Sequence, residues 1–251
     1  MSEAKDLQHL LKTAKAQAVK GEEKITPAPT KWTEEMILRQ VTEIGLQFVP
    51  RTDISEGYKL QPENKAAVIA IAYYFLKDAR CQEYYLQNGR MSLKKGLMLM
   101  GEFGTGKTLT MRIMQRWFRN PFILSICKNI VDDYQSGGQV PATYAHLGRK
   151  SFDVNVFSKE GELDNRKPIT RLFDELGYER LKHNFQDDRN VLEEILSARY
   201  DGFIYGNPPM ITHVTTNLPL EKLAERYGHR LADRFIEMFN IIIFKGESMR
   251  K

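Results

Sequence analysis

The chain reads as an α/β protein: a five-stranded parallel sheet sandwiched by helices, preceded by a small helical N-terminal extension. Three observations predict this. The octapeptide Gly101-Glu102-Phe103-Gly104-Thr105-Gly106-Lys107-Thr108 stands between an apolar run, Gly96 to Met100, and a helical stretch, Leu109 to Phe118, the strand, turn and helix setting of a phosphate-binding loop. From Leu97 onward, short apolar runs alternate with helical patterns, as parallel strands joined by crossover helices require. The 251 residues, 42% hydrophobic and 27% charged, suffice for one such domain with a substantial core and an appendage.

Residues 1 to 20 place Leu7, Leu10, Leu11, Ala14 and Ala18 at helical spacing among polar residues. That is an amphipathic helix with too little apolar surface to fold alone, so it needs a partner. Gly21 to Thr30, with Pro27 and Pro29, breaks the periodicity and reads as a linker, closing a first unit at residues 1–30. Residues 31–63 form a helical connecting segment, in which Thr33, followed by Glu34 and Glu35, caps a helix through Met36, Ile37 and Val41. The main domain occupies 64–251. It opens with a long helix expected from Asn64 to Tyr85, whose stripe of Val68, Ile71, Ala72, Phe75 and Leu76 packs on the core. The expected strands are Leu97 to Met100, Phe122 to Ile126, Ile169 to Phe173, Ile211 to Thr215 and Phe239 to Phe244. Gly137 to Lys167 fits this rhythm poorly and reads as an insertion or long loop. Its Arg149, Lys150, Lys159, Arg166 and Lys167 suit a phosphate backbone, although a solvated loop has the same composition.

The 37 Lys and Arg against 32 Asp and Glu leave a charge of +5. This permits contact with nucleic acid and is equally the charge of a solvated basic surface. No apolar stretch approaches the roughly 20 residues that span a bilayer, and Met1 to Asp6 lacks the apolar core of a signal peptide, so a cytoplasmic protein with no membrane partner is expected. Cys81 and Cys127 lack metal-ligand spacing and suit a reduced core.

The glycine-rich loop carries the chemistry. Gly101, Gly104 and Gly106 let the backbone wrap its N–H groups around phosphate oxygens, and the helix start at Leu109 adds its positive dipole end. Lys107 reaches the β and γ phosphates and the Thr108 hydroxyl takes Mg²⁺. The binding set for ATP is therefore Gly101, Glu102, Phe103, Gly104, Thr105, Gly106, Lys107, Thr108 and Leu109. Hydrolysis needs a carboxylate for the metal and another to polarise water. The run Ile169 to Phe173 ends in Asp174 and Glu175, which supply both. Usual βαβ lengths put this motif on a strand neighbouring that of the phosphate loop. Asn217, at the end of Ile211 to Thr216, suits contact with the attacking water or the γ-phosphate, or a strand-terminating turn. His213 reads as a packed or hydrogen-bonded histidine.

In the order Gly101 to Thr108, Leu172 to Gly177, Val214 to Leu218, Arg226 to Phe235 and Phe244 to Arg250, residues 64–251 resemble the AAA+ superfamily, and within it the DnaC-type helicase loaders and the IstB-type transposition ATPases. The resemblance implies an AAA+ core without the C-terminal lid of larger relatives, ATP hydrolysis at the interfaces of a homo-oligomer, and stimulation by DNA. It assigns the helix of Gly228-His229-Arg230-Leu231-Ala232-Asp233-Arg234 a trans-acting arginine, Arg234 ahead of Arg230, and gives Arg250 of Gly246-Glu247-Ser248-Met249-Arg250 a contact to nucleotide in its own subunit. An always-charged guanidinium fork suits either role, and an ion-paired helix face is the structural alternative for the pair. The implied partners, through the N-terminal region, are a replicative helicase with single-stranded DNA, or else a transposase with duplex DNA. A small-molecule kinase also uses a phosphate loop, but gives Asp174-Glu175, Asn217 and the late arginines poorer employment.

Overall fold

Thr33 starts the first described helix, α1 (Glu34–Gly45), its hydroxyl accepting the Met36 N–H at 3.2 Å. The computed structural model describes residues 32–48, 59–136, 144, 169–179 and 190–248. The expected helix over 1–20, the linker after it, Arg250 and the basic residues of the 137–167 insertion all lie outside them. Ile37, Val41 and Ile44 of α1 are buried in the same apolar cluster as the helix that follows, α2 (Lys65–Phe75). The expected long helix from Asn64 to Tyr85 thus ends ten residues early. Lys77 takes a left-handed φ of 57°, and Asp78 accepts the Arg80 N–H to cap a separate 3₁₀ turn, Ala79–Glu83. Nor is α2 amphipathic: every residue from Val68 to Tyr74 is buried. Each large aliphatic side chain there contributes about 1.5–3 kcal/mol by leaving water.

A hairpin of β1 (Tyr85–Leu86) and β2 (Gly89–Arg90) precedes the main sheet. Its five parallel strands are β3 (Gly96–Met100), β4 (Ile123–Ile126), β5 (Arg171–Leu176), β6 (Thr212–Thr216) and β7 (Phe239–Ile243), in the order β4-β5-β6-β3-β7. Five strands and parallel pairing are as expected; one adjacency is not. The strand of the phosphate loop, β3, does not neighbour β5, because β6 lies between them and pairs with both. Spacing along the chain limits how far a crossover reaches but does not fix which strand it returns beside, and β6, the fourth of the five along the chain, takes the central slot.

The helices α3 (Lys107–Trp117), α4 (Cys127–Gln135), α5 (Val191–Tyr205), α6 (Leu220–Tyr227) and α7 (His229–Met238) complete the two covering layers. The pleat of β3 divides the core between them. Leu97 and Leu99 face the cluster of α1, α2 and α3, while Met98 and Met100 face that of α4, α5, α6 and α7. Buried Arg199 of α5 ties the strand starts together, donating to Thr212 Oγ1 at 2.7 Å and to the carbonyls of Ile169 and Ile211 at 2.9 and 3.0 Å. The outer edge of β7 is covered by a side chain: Asn88 at the hairpin turn donates to Phe239 O at 2.8 Å and accepts the Ile241 N–H at 3.2 Å. Among the described residues, no helix is long and apolar enough to cross a membrane.

His213 sits in β6 among the rings of Tyr74, Phe75 and Phe122, and its Nδ1 accepts the Leu97 N–H at 3.0 Å. Burial, with Lys77 and Arg199 nearby, pushes its pKa down to about 3, so the folded chain holds it neutral. The unfolded chain takes up that proton below its ordinary value of 6.5, so stability falls as pH drops from 7 to 5, by about 2 kcal/mol from this group alone. Denaturant unfolding at the two pH values should show a smaller difference in His213→Gln than in the wild type; equal differences would refute the assignment.

Candidate nucleotide site

The phosphate loop joins β3 to α3 at the carboxyl edge of the sheet. Gly106 caps α3 at φ 92°, so the start of the helix opens at the loop. The other two glycines are there for close approach as well as for conformation. A Cβ on Gly101 would lie 2.1 Å from Phe244 O, and one on Gly104 would lie 2.1 Å from Ser248 Oγ. The loop therefore packs against the chain leaving β7. The Lys107 ammonium, itself buried, donates to Gly101 O and Glu102 O at 2.7 Å each, and Thr105 Oγ1 donates to Glu102 O at 2.9 Å. Phe103, Gly104, Gly106, Lys107, Thr108, Leu109, Glu175, Thr215 and Asn217 line one cleft of about 200 Å³.

Asp174 meets the loop although its strand is not adjacent. Its Oδ1 accepts from Thr108 Oγ1 at 2.7 Å and from Thr215 Oγ1, on the interposed strand, at 2.5 Å. Glu175 would point to the opposite face in a regular strand. Instead, the pairing of β5 with β6 shifts register between Phe173 and Leu176, and Glu175 adopts φ 59°. Leu172 faces the α3 side, Phe173 and Leu176 face the other, and Glu175, taken out of alternation by the bulge, lines the cleft beside Asp174's partners. The left-handed conformation costs about 1–2 kcal/mol for a residue with a Cβ. It is held by Thr215 Oγ1, which accepts the Glu175 N–H at 3.0 Å, and by the Tyr178 N–H, which donates to Glu175 O at 3.1 Å.

The oxygens of Thr108 and Asp174 form the hard donor pair that Mg²⁺ takes alongside phosphate and water. Among the described residues, no group of three His, Cys, Asp or Glu could hold a metal by itself. The predicted residues Lys107, Thr108, Asp174, Glu175 and Asn217 are thus gathered at one cleft. The helical arginines are not part of it. Arg234 lies over the Tyr200 ring, 4.5 Å from its centroid, with Asp201 at 3.9 Å. This is a structural engagement, with partners on α5 rather than on its own helix. Arg230, one turn earlier, is exposed.

Four contributors escaped the sequence. Thr215 reads there as one more β-branched strand residue, yet its hydroxyl serves both carboxylate positions. Asn64, read as a helix start, makes no cap; its amide donates to Lys245 O at 2.8 Å and Thr105 O at 3.3 Å and accepts the Lys245 N–H at 2.9 Å, fastening the loop to the end of β7. Gln61 donates to Glu247 O at 2.5 Å beside it. Glu179, four residues past Glu175, is buried and bonded to Gly177 N–H, Arg226 and Tyr227.

No known protein family matches the chain, and no curated protein does. Among solved structures, it is similar to a crystal structure of DnaI at 20% sequence identity, over 79% of this chain and 95% of that one, with a TM-score of 0.45.

Because Thr215 Oγ1 pairs with both Asp174 and the Glu175 N–H, Thr215→Val should take a donor from the buried carboxylate and an acceptor from the partly buried N–H, and lower stability by about 1–3 kcal/mol. Thr215→Ser keeps the hydroxyl and should stay close to wild type. Denaturant unfolding of the two variants measures the difference.

Proposed function

We propose that this protein is an AAA+ ATPase of the DnaC and IstB type, which hydrolyses ATP in a homo-oligomer assembled on DNA. The observation that carries the reading is the bulge that turns Glu175 into the same cleft as Lys107, Thr108 and Asn217, two hydrogen bonds from the Asp174 clamp. A phosphate loop that only bound nucleotide would have no need of a strained carboxylate there.

In this reading the loop's N–H groups and Lys107 hold the phosphates. Glu175 accepts a proton from the attacking water, and Asn217 orients that water against the γ-phosphate. Mg²⁺ held by Thr108 and Asp174 would neutralise charge on the phosphate oxygens. A guanidinium from the neighbouring subunit completes the charge balance. Arg230 suits that role better than Arg234, which is already engaged by Tyr200 and Asp201. α5 and α7 both descend from the sheet's carboxyl edge, so Arg230 lies one turn closer to that edge than Arg234. Single-stranded DNA and a replicative helicase are the favoured partners, as in the DnaC-type loaders that the late motifs resemble.

Lys107→Ala should lose nucleotide binding, while Glu175→Gln should bind ATP normally and turn over on the order of 10²- to 10⁴-fold more slowly. Arg230→Ala and Glu175→Gln should each be inactive alone and regain part of the turnover when mixed, one supplying the site and the other the arginine; failure to complement would remove Arg230 from the trans role. ATP hydrolysis and light-scattering mass, measured without DNA, with single strands and with duplex, test the remainder. Stimulation by single strands supports the helicase loader, a duplex preference the transposition helper, and indifference to both a small-molecule kinase.

A further inference from the structure

A buried carboxylate outside the nucleotide cleft connects the turn that carries Glu175 to the helix that carries Arg230. Glu179 has a side chain only 1% exposed, yet each of its oxygens is committed. Oε2 accepts the Gly177 N–H at 2.9 Å, inside the turn that begins at Glu175. Oε1 accepts Arg226 Nε at 2.9 Å and the Tyr227 hydroxyl, and the Glu179 carbonyl accepts from the same guanidinium. Arg226 and Tyr227 end α6; Gly228 follows at φ 87° and α7 begins with His229 and Arg230. On the other side, the Arg226 carbonyl accepts from Asn190, which caps α5. A desolvated ion pair with well-placed donors rarely adds net stability over an apolar substitute, but it defines geometry tightly, because any displacement leaves a buried charge short of partners.

Two of the contacts hold parts that are not self-supporting. The Glu175 turn is strained at φ 59° and depends on bonds from outside itself. The junction between α6 and α7 is a single glycine, and a Cβ there would meet nothing within 4 Å. An arginine drawn toward a neighbour's phosphates would pull on that junction, and the nearest inflexible connection runs from Tyr227 and Arg226 through Glu179 to Gly177.

We infer that Glu179, with Arg226 and Tyr227, couples the arginine helix to the Glu175 turn, so that a subunit whose arginine is engaged by its neighbour has its own water-polarising carboxylate set in place. Glu179 is a positioning residue in this scheme. The inference rests on the proposed ATPase reading and adds to it a direction of communication, from the arginine of one site to the carboxylate of the same chain.

The test uses the full-length protein in its DNA-stimulated assembly, with Tyr227→Phe as the mild variant and Glu179→Gln as the stronger one. Tyr227→Phe removes one donor and keeps the ring. Each variant should keep its affinity for a non-hydrolysable ATP analogue within roughly twofold. Tyr227→Phe should also keep its thermal midpoint within about 5 °C. Turnover should fall roughly tenfold or more, as small misplacements of a reacting group do. The decisive readout is the cycle with Arg230→Ala, taken in assemblies mixed with Glu175→Gln, where the Arg230→Ala chain carries the working carboxylate. If Glu179 relays that arginine's engagement, Tyr227→Phe should slow the Arg230→Ala protein no further. Losses that multiply, or an affinity that falls in step with turnover, would overturn the coupling. A wild-type protein that binds the analogue but never hydrolyses ATP would overturn the ATPase reading itself, and the coupling with it.

Discussion

Asp174 is the point on which the rest of the site depends. One carboxylate oxygen takes hydroxyls from Thr108, at the start of α3, and from Thr215, on β6. Three segments that the chain delivers from very different positions are thereby fixed within one hydrogen bond of each other. With β6 between β3 and β5, the loop and the acidic motif meet through side chains rather than through strand pairing: Thr108 reaches Asp174 directly, and β6 adds the Thr215 hydroxyl to the same oxygen. Without the Thr215 hydroxyl, the buried carboxylate keeps only Thr108 as its hydroxyl donor.

The same pair of strands carries the departure from regularity that creates a second carboxylate at the cleft. Pleating sends successive side chains to opposite faces, so two adjacent acids on a strand cannot ordinarily serve one ligand. The bulge after Phe173 resolves this by spending one residue out of register, and Thr215 holds the result by its contact to the Glu175 N–H. Rigid scaffold and local strain are thus combined as they are at many reactive sites, with the strain over-determined by its surroundings.

Much of this was legible in the residues themselves. The five strands lie where apolar runs stood, with ends shifted by at most one residue for β3, β4, β6 and β7 and by two to three for β5. The phosphate loop, Asp174, Glu175 and the Thr33 cap follow from local chemistry, which spacing reports well. What was hidden is non-local. Lateral strand order leaves no trace in spacing, so β6's central place could not be seen. The end of α2 at Phe75 was masked by an apolar stretch continuing to Leu76; the Asp78 cap that stops it reads as an ordinary surface acid until Arg80 is placed above the Tyr73 ring. Arg234 looked available because Tyr200 and Asp201, which engage it, stand more than thirty residues away along the chain.

The hairpin turn before the sheet has a consequence for how copies of this chain can meet. β7 is a border strand, and border strands offer their spare backbone groups to any other border strand of the same kind. Asn88 places a primary amide where a sixth strand's peptide would sit, occupying Phe239 O and Ile241 N–H together. A single side chain therefore ends the sheet on that flank without a covering helix. Growth of the sheet from one molecule into the next is therefore discouraged on the β7 flank.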